Sequence, residues 1–401
     1  MLTSLSLILL VGLAMGGICR RLKLPRINGM LFTGIQLGPC VLNMLDDNIL
    51  LISADLRQMA LVIILLKAGL SLKLSDLKKV GRPALLMSAL PAAFEILAFV
   101  LLGPALLHIS PVEGAVMGAV LGAVSPAVVI PRMDQLMEEG YGTDKSIPQL
   151  IIAGASCDDI FVIVLFSTFL GMAQGGSAQV SDFMDIPVSI VLGVILGALV
   201  GWLMCKFFEQ YYARGKYIRN STKVIVVLGM SFLLLAIEDA AEDVVAVSGL
   251  LAIVSMACTL NMTCPEKVVK RLSEKFGKLW IAAEVLLFVL VGAAVDIRYT
   301  LQAGLAAVAM ILIGLVFRSV GVILCLLGTN LNRKEKLYSI LAYLPKATVQ
   351  AAIGSVPLAM GLPCGKLVLS VAVLAILITA PLGAILMDTS YRKLLNRTEP
   401  D

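Results

Sequence analysis

Two adjacent aspartates, Asp158 and Asp159, sit midway along residues 147–172, a run that is otherwise apolar and long enough to cross a bilayer. A carboxylate at that depth costs at least about 2.5 kcal/mol on insertion scales, so ionisable groups inside spans mark ion or proton paths by default. A carboxylate takes a proton or a hard cation, never both, and hard cations prefer oxygen ligands. The pair therefore implies a site at which a proton and a small monovalent cation compete, with Ser125, Ser156 and freed backbone carbonyls as further oxygen donors. Successive helical residues point about 100° apart, so one aspartate is expected to face the site and the other a basic or polar neighbour.

Five more ionisable residues fall within apolar runs: Lys67, Glu95, Glu284, Arg318 and Lys346. Arginine cannot give up its proton, so Arg318 is expected either to bridge to Glu95 or to neutralise Asp158. Lys346 follows Pro345 and is expected to offset the negative ends of half-helices. Lys67 and Glu284 lie towards the ends of their runs and read as structural.

The elements that must carry these groups follow from composition. Of 401 residues, 59% are hydrophobic and only 15% charged; soluble domains run at roughly 45–50% apolar and about 25% charged. The excess recurs in blocks near the length that spans the hydrocarbon core, which predicts an all-α polytopic membrane protein. Thirteen spans are expected, at about 2–19, 27–45, 54–72, 83–106, 111–131, 147–172, 186–207, 222–237, 244–261, 276–295, 301–328, 335–360 and 364–387. The first lacks a basic leader and a small-residue cleavage end, so it reads as a retained helix.

The net charge of +5 is not a nucleic-acid signature, because the basic residues segregate by loop. Of the 32 Lys and Arg, 26 crowd one side, the other side has only Arg57, Arg298 and Lys366, and three remain deep within spans. The positive-inside rule then places the N-terminus outside and the C-terminus in the cytoplasm. Eight cysteines without a C-x-x-C read as free thiols rather than a metal or disulfide framework. No nucleotide-binding glycine motif or soluble domain occurs, so no nucleotide, nucleic acid or cofactor is expected.

Gly69 and Lys73, in the run 64–77, match Gly292 and Asp296, in the run 288–301, at an offset of 223 residues; the same offset carries Glu95 onto Arg318. The shift equals seven spans, an odd number, so the two copies would be inverted in the membrane, as in many secondary transporters. The expected organisation is a single membrane domain, with a first repeat over about 2–172, a linker helix over 186–207 and a second repeat over 222–387. Each repeat also holds a proline-interrupted span, with Pro126 and Pro131 in one and Pro345 and Pro357 in the other. Proline removes a backbone donor and clashes with the preceding turn, so helix breaks are expected at Pro126, Pro131 and Pro345. Such breaks survive in hydrocarbon only where protein or a wet cavity satisfies the freed groups.

Four segments, GASCDDI (154–160), AVSPAVVIP (123–131), LPKATVQAAI (344–353) and LPRINGMLFTGIQLGP (24–39), together resemble the monovalent cation:proton antiporter superfamily, nearest its NHA-type sodium/proton branch. The resemblance spans essentially the whole chain. It implies a homodimer in the cytoplasmic membrane, with a six-helix core that holds two crossing, unwound helices and works by elevator-like alternating access. It maps the ion-binding aspartate onto Asp159, its neighbour onto Asp158, the core basic residue onto Arg318 and that residue's acidic partner onto Glu95. Ser125 stands where several relatives carry aspartate. The implied cargo is Na⁺ or Li⁺ against H⁺. Alternatives are K⁺/H⁺ exchange, a sodium-coupled symporter of similar fold, which the paired aspartates disfavour, and a channel. An intramembrane aspartyl protease needs carboxylates converging from different helices, whereas these two are neighbours on one.

Overall fold

The computed structural model describes residues 1–22, 24–71, 81–174, 182–213, 218–241, 247–295 and 297–397. Among them every regular element is helical: α1 Leu2–Arg21, α2 Arg26–Leu37, α3 Asp47–Leu51, α4 Ser53–Ser71, α5 Arg82–Met87 and α6 Leu90–Leu107. Then follow α7 Pro111–Gly122, α8 Pro126–Glu139, α9 Ile147–Gln174, α10 Asp182–Ala213, α11 Asn220–Ala241 and α12 Gly249–Thr263. The chain ends with α13 Glu266–Ala293, α14 Ile297–Cys325, α15 Arg333–Ala342, α16 Thr348–Gly354, α17 Val356–Ala359 and α18 Gly365–Leu394.

By length and composition, nine helical stretches among the described residues are apolar and long enough to cross a membrane. They correspond to nine of the thirteen expected spans. The other four are real helices with identifiable reasons for falling short. The helix expected over 27–45 stops at Leu37, because Pro39 pushes Gly38 into the extended region (ψ 174°). Helix α4 carries Asp55, Arg57 and Lys67, and α12 has only 15 residues. The span expected over 335–360 is interrupted between α15 and α16. The span over 83–106 is itself two helices, because Pro91 sits in the first turn of α6 and the chain breaks at Ser88 and Ala89.

Contacts divide the chain into two compact units. The first comprises Met1–Arg57, Lys73–Val162 and Val285–Asp401. In it α6 packs on α7 and α14, and α18 packs on α14, α15 and α16. Gly314 of α14 lets that helix close on α6, since a Cβ there would stand 3.0 Å from the Phe99 ring and 3.4 Å from Glu95. Helix α7 starts on a complete capping box: Glu113 N–H donates to Ser110 Oγ (3.2 Å), Ser110 N–H donates to Glu113 Oε2 (2.8 Å), and Pro111 fills the first helical position.

The second unit comprises Gln58–Leu72 and Ile163–Glu284. Its main contact is α10 against α12. Gly193, Gly197 and Gly201 recur every four residues along one stripe of α10, and a Cβ on any of them would run into the α12 backbone at Ser248, Ala252 or Met256. Small residues at this spacing let membrane helices approach closely enough for dispersion to hold them. Lys67 and Glu284 belong to this second unit. Lys73 and Asp296, the charged members of the short repeat, and the side chain of Ser156 lie outside the described residues.

Candidate functional site

Two of the helix interruptions in the first unit, the one after α7 and the one after α15, meet. Between α7 and α8 the chain is non-helical over Ala123, Val124 and Ser125, with Ala123 and Ser125 extended. Pro126 is the first residue of α8, and it holds Ser125 at φ −86°, ψ 106°, outside the helical region. Between α15 and α16 the chain runs without helix from Tyr343 to Ala347, and Pro345 lies inside that stretch. Ser125 N–H donates to the Pro345 carbonyl (2.8 Å), so one break satisfies the other.

Pro131 does not break a helix. It lies inside α8, which runs on to Glu139. Its missing N–H frees only the carbonyl of Ala127, an exposed residue, and the next carbonyl, that of Val128, accepts from Arg132 Nη1 (2.9 Å). Pro104 and Pro381 likewise sit within continuous helices. What sets Pro126 and Pro345 apart is that a second segment supplies partners for the freed backbone.

Gln350 does most of that work. Its Nε2 donates to the Ala123 carbonyl (2.6 Å) and its Oε1 accepts from Ala347 N–H (2.7 Å), which ties both breaks through one buried amide. Thr379 of α18 adds a third tie, its Oγ1 accepting from Lys346 N–H (3.0 Å). Sequence reasoning passed over both residues. Gln350→Ala is expected to cost about 1–3 kcal/mol, because it leaves two buried backbone groups unpaired. Thermal melting checks this; an unchanged transition would mean that Gln350 does not hold the breaks.

The charged cluster is assembled on this frame. Glu95, Asp158, Arg318 and Lys346 are fully buried, and Asp159 is 6% exposed. Arg318 is the hub. Its Nη1 lies 3.0 Å from Glu95 Oε2, its Nη2 lies 3.1 Å from Asp158 Oδ2, and its Nε donates to the Tyr343 carbonyl (2.6 Å). Nη1 also donates to the carbonyl of Gly122, the last residue of α7. Lys346 Nζ stands 2.7 Å from Glu95 Oε1 and donates to the Leu121 carbonyl, in the last turn of the same helix. Both cations thus sit at the negative end of the half-helix α7, where positive charge is favoured. Asp158 Oδ2 also accepts from Val124 N–H (2.7 Å) in the first break.

Asp159 stands apart. Among the described residues no cation or hydrogen-bond donor reaches it, and its Oδ1 is buried without a partner. Asp158 Oδ1 and Ser125 Oγ are buried and unpartnered as well. The cluster therefore pairs two anions, Glu95 and Asp158, with two cations, Arg318 and Lys346. The third acid is left uncompensated, and three oxygen atoms from the aspartate pair and the α7–α8 break are unused. Oxygen donors with one net negative charge suit a hard monovalent cation or a proton.

The transmembrane model of the sodium/hydrogen exchangers matches residues 5–388, nearly the whole chain. The chain belongs to the sodium/hydrogen exchanger family. Human sodium/hydrogen exchanger 9B2 is 35% identical over 391 residues, covering 94% of this chain and 71% of that protein. Human sodium/hydrogen exchanger 9B1 is 30% identical over 360 residues, covering 86% of this chain and 67% of the other. The structure of the sodium proton antiporter MjNhaP1 from Methanocaldococcus jannaschii at pH 8 superimposes with a TM-score of 0.80 over 98% of both chains, at 22% identity. That likeness establishes the antiporter fold. This exchanger is accordingly a multi-pass membrane protein of the monovalent cation:proton antiporter superfamily.

Proposed function

We propose that this exchanger is a secondary active antiporter that expels Na⁺ or Li⁺ in return for protons, with Asp159 as the group that alternates between the two. The observation that carries this is the charge balance of the buried cluster. Arg318 and Lys346 offset Glu95 and Asp158, so the charge on Asp159 must be cancelled by a particle that enters and leaves. Asp158 Oδ1 and Ser125 Oγ, unpartnered beside the break, complete the oxygen set for the cation.

One uncompensated carboxylate exchanges one proton for one monovalent ion, so the cycle moves no net charge. The protein is read as a homodimer in the cytoplasmic membrane, with its N-terminus outside and its C-terminus in the cytoplasm, in keeping with the segregation of Lys and Arg. Its inverted repeats are assigned to about 2–172 and 222–387, joined by a linker helix over 186–207, and each contributes one interrupted helix to the site.

Ion choice and stoichiometry are tested together in proteoliposomes carrying a pH dye. Na⁺ and Li⁺ gradients are expected to drive proton flux, K⁺ is expected to drive none, and an imposed membrane potential should leave the rate unchanged. Equal flux with K⁺ would favour K⁺/H⁺ exchange, and a voltage-dependent rate would contradict one-for-one exchange.

A further inference from the structure

Away from the charged cluster, the first unit holds a cavity of about 380 Å³ lined by two cations, Arg57 of α4 and Lys366 of α18. Among the described residues no acidic side chain lines it. Arg57 is 6% exposed; its Nε donates to the Ser53 carbonyl (3.2 Å), and its Nη1 is buried with no partner. Among the described residues it forms no ion pair. Asp55, the nearest acid in sequence, is exposed, and Asp46 is occupied by the N-terminal ammonium (3.0 Å) and the Asn48 amide (2.9 Å). A buried arginine lacking a carboxylate partner is costly unless something else brings the negative charge.

The surroundings favour an anion. Ser53 and Ala54 bring the N-terminal turn of α4 to the cavity, and Lys366 is the second residue of α18. Two helix N-termini therefore add their positive ends to the two side-chain charges. The guanidinium fork matches phosphate oxygens in pairs. The remaining wall is apolar, with Pro39, Leu50, Leu51 and Leu358 among its residues. Leu51 is 80% exposed, and Val41, Leu42, Met44 and Met360, close by in sequence, are about half exposed. A cationic pocket with an apolar, open rim suits a phosphate that arrives on acyl chains.

We infer that this cavity is a binding site for the phosphate headgroup of an anionic phospholipid, held by Arg57 and Lys366. The test is thermal melting of the purified full-length chain in detergent, with short-chain phosphatidylglycerol, short-chain phosphatidylcholine or inorganic phosphate added. Phosphatidylglycerol is expected to raise the melting temperature by at least about 2 °C, while the other two leave it unchanged. Arg57→Gln should abolish the shift and Lys366→Gln should reduce it by more than half. Because Arg57 is buried, Leu51→Glu provides an independent arm: an acid at the exposed mouth should remove the shift without touching the interior. Equal shifts with phosphatidylcholine, or shifts that survive in all folded variants, would overturn the assignment. A shift with inorganic phosphate equal to that with phosphatidylglycerol would overturn the lipid as its source.

Discussion

Asp159→Asn is expected to reduce sodium-driven proton flux to the level of empty liposomes while the protein folds normally. The amide is close in shape to the acid, but it neither titrates nor supplies the negative charge that draws a cation into a buried site. Because Asp159 takes no part in the ion pairs that hold the cluster together, its loss removes no structural contact. It also relieves the cost of an uncompensated buried acid, so the melting temperature should be unchanged or raised. Loss of flux with loss of folding would assign Asp159 a structural role. Retained flux would place the exchanging carboxyl elsewhere.

Glu95→Ala should do the opposite, acting first on stability. Glu95 receives both Arg318 and Lys346, and removing it leaves two buried cations short of a partner. Breaking a buried pair in this way costs about 3–5 kcal/mol, because the uncompensated charge remains. Asp158→Ala should cost less. Arg318 would keep Glu95 and the carbonyls of Tyr343 and Gly122, so it stays ion-paired, and the groups that lose their acceptor are its Nη2 and the Val124 amide. Thermal unfolding of the two variants side by side decides the matter, and equal melting temperatures would contradict this division of roles.

Much of the site was legible because intramembrane charge is so costly that each instance demands an explanation. Asp158, Asp159, Glu95, Arg318 and Lys346 stand out from an apolar chain by residue type alone, and the offset of 223 residues between Glu95 and Arg318 matches the pair the fold brings together. Two prolines located the helix breaks. The third, Pro131, failed as a signal because a proline ends a helix only where the freed backbone finds other partners. The Leu90–Pro91 and Gly38–Pro39 stops are present in the sequence, yet continuous hydropathy across each of them masks the break. Gln350 and Thr379 were invisible for a different reason. Neutral side chains that serve backbone groups leave no local pattern, and the carbonyl that Gln350 caps is 227 residues away. Backbone acceptors such as Gly122 and Leu121 have no sequence signature beyond the break that frees them.

The most direct measurement is calorimetric sodium binding to the purified protein across a pH series, repeated in buffers of different ionisation enthalpy to count protons. A single carboxyl shared by both ions predicts release of one proton for each sodium bound under acidic conditions. The apparent affinity should then fall about tenfold for each further unit of acidification. Sodium binding of constant affinity at every pH, with no proton released, would contradict the central claim.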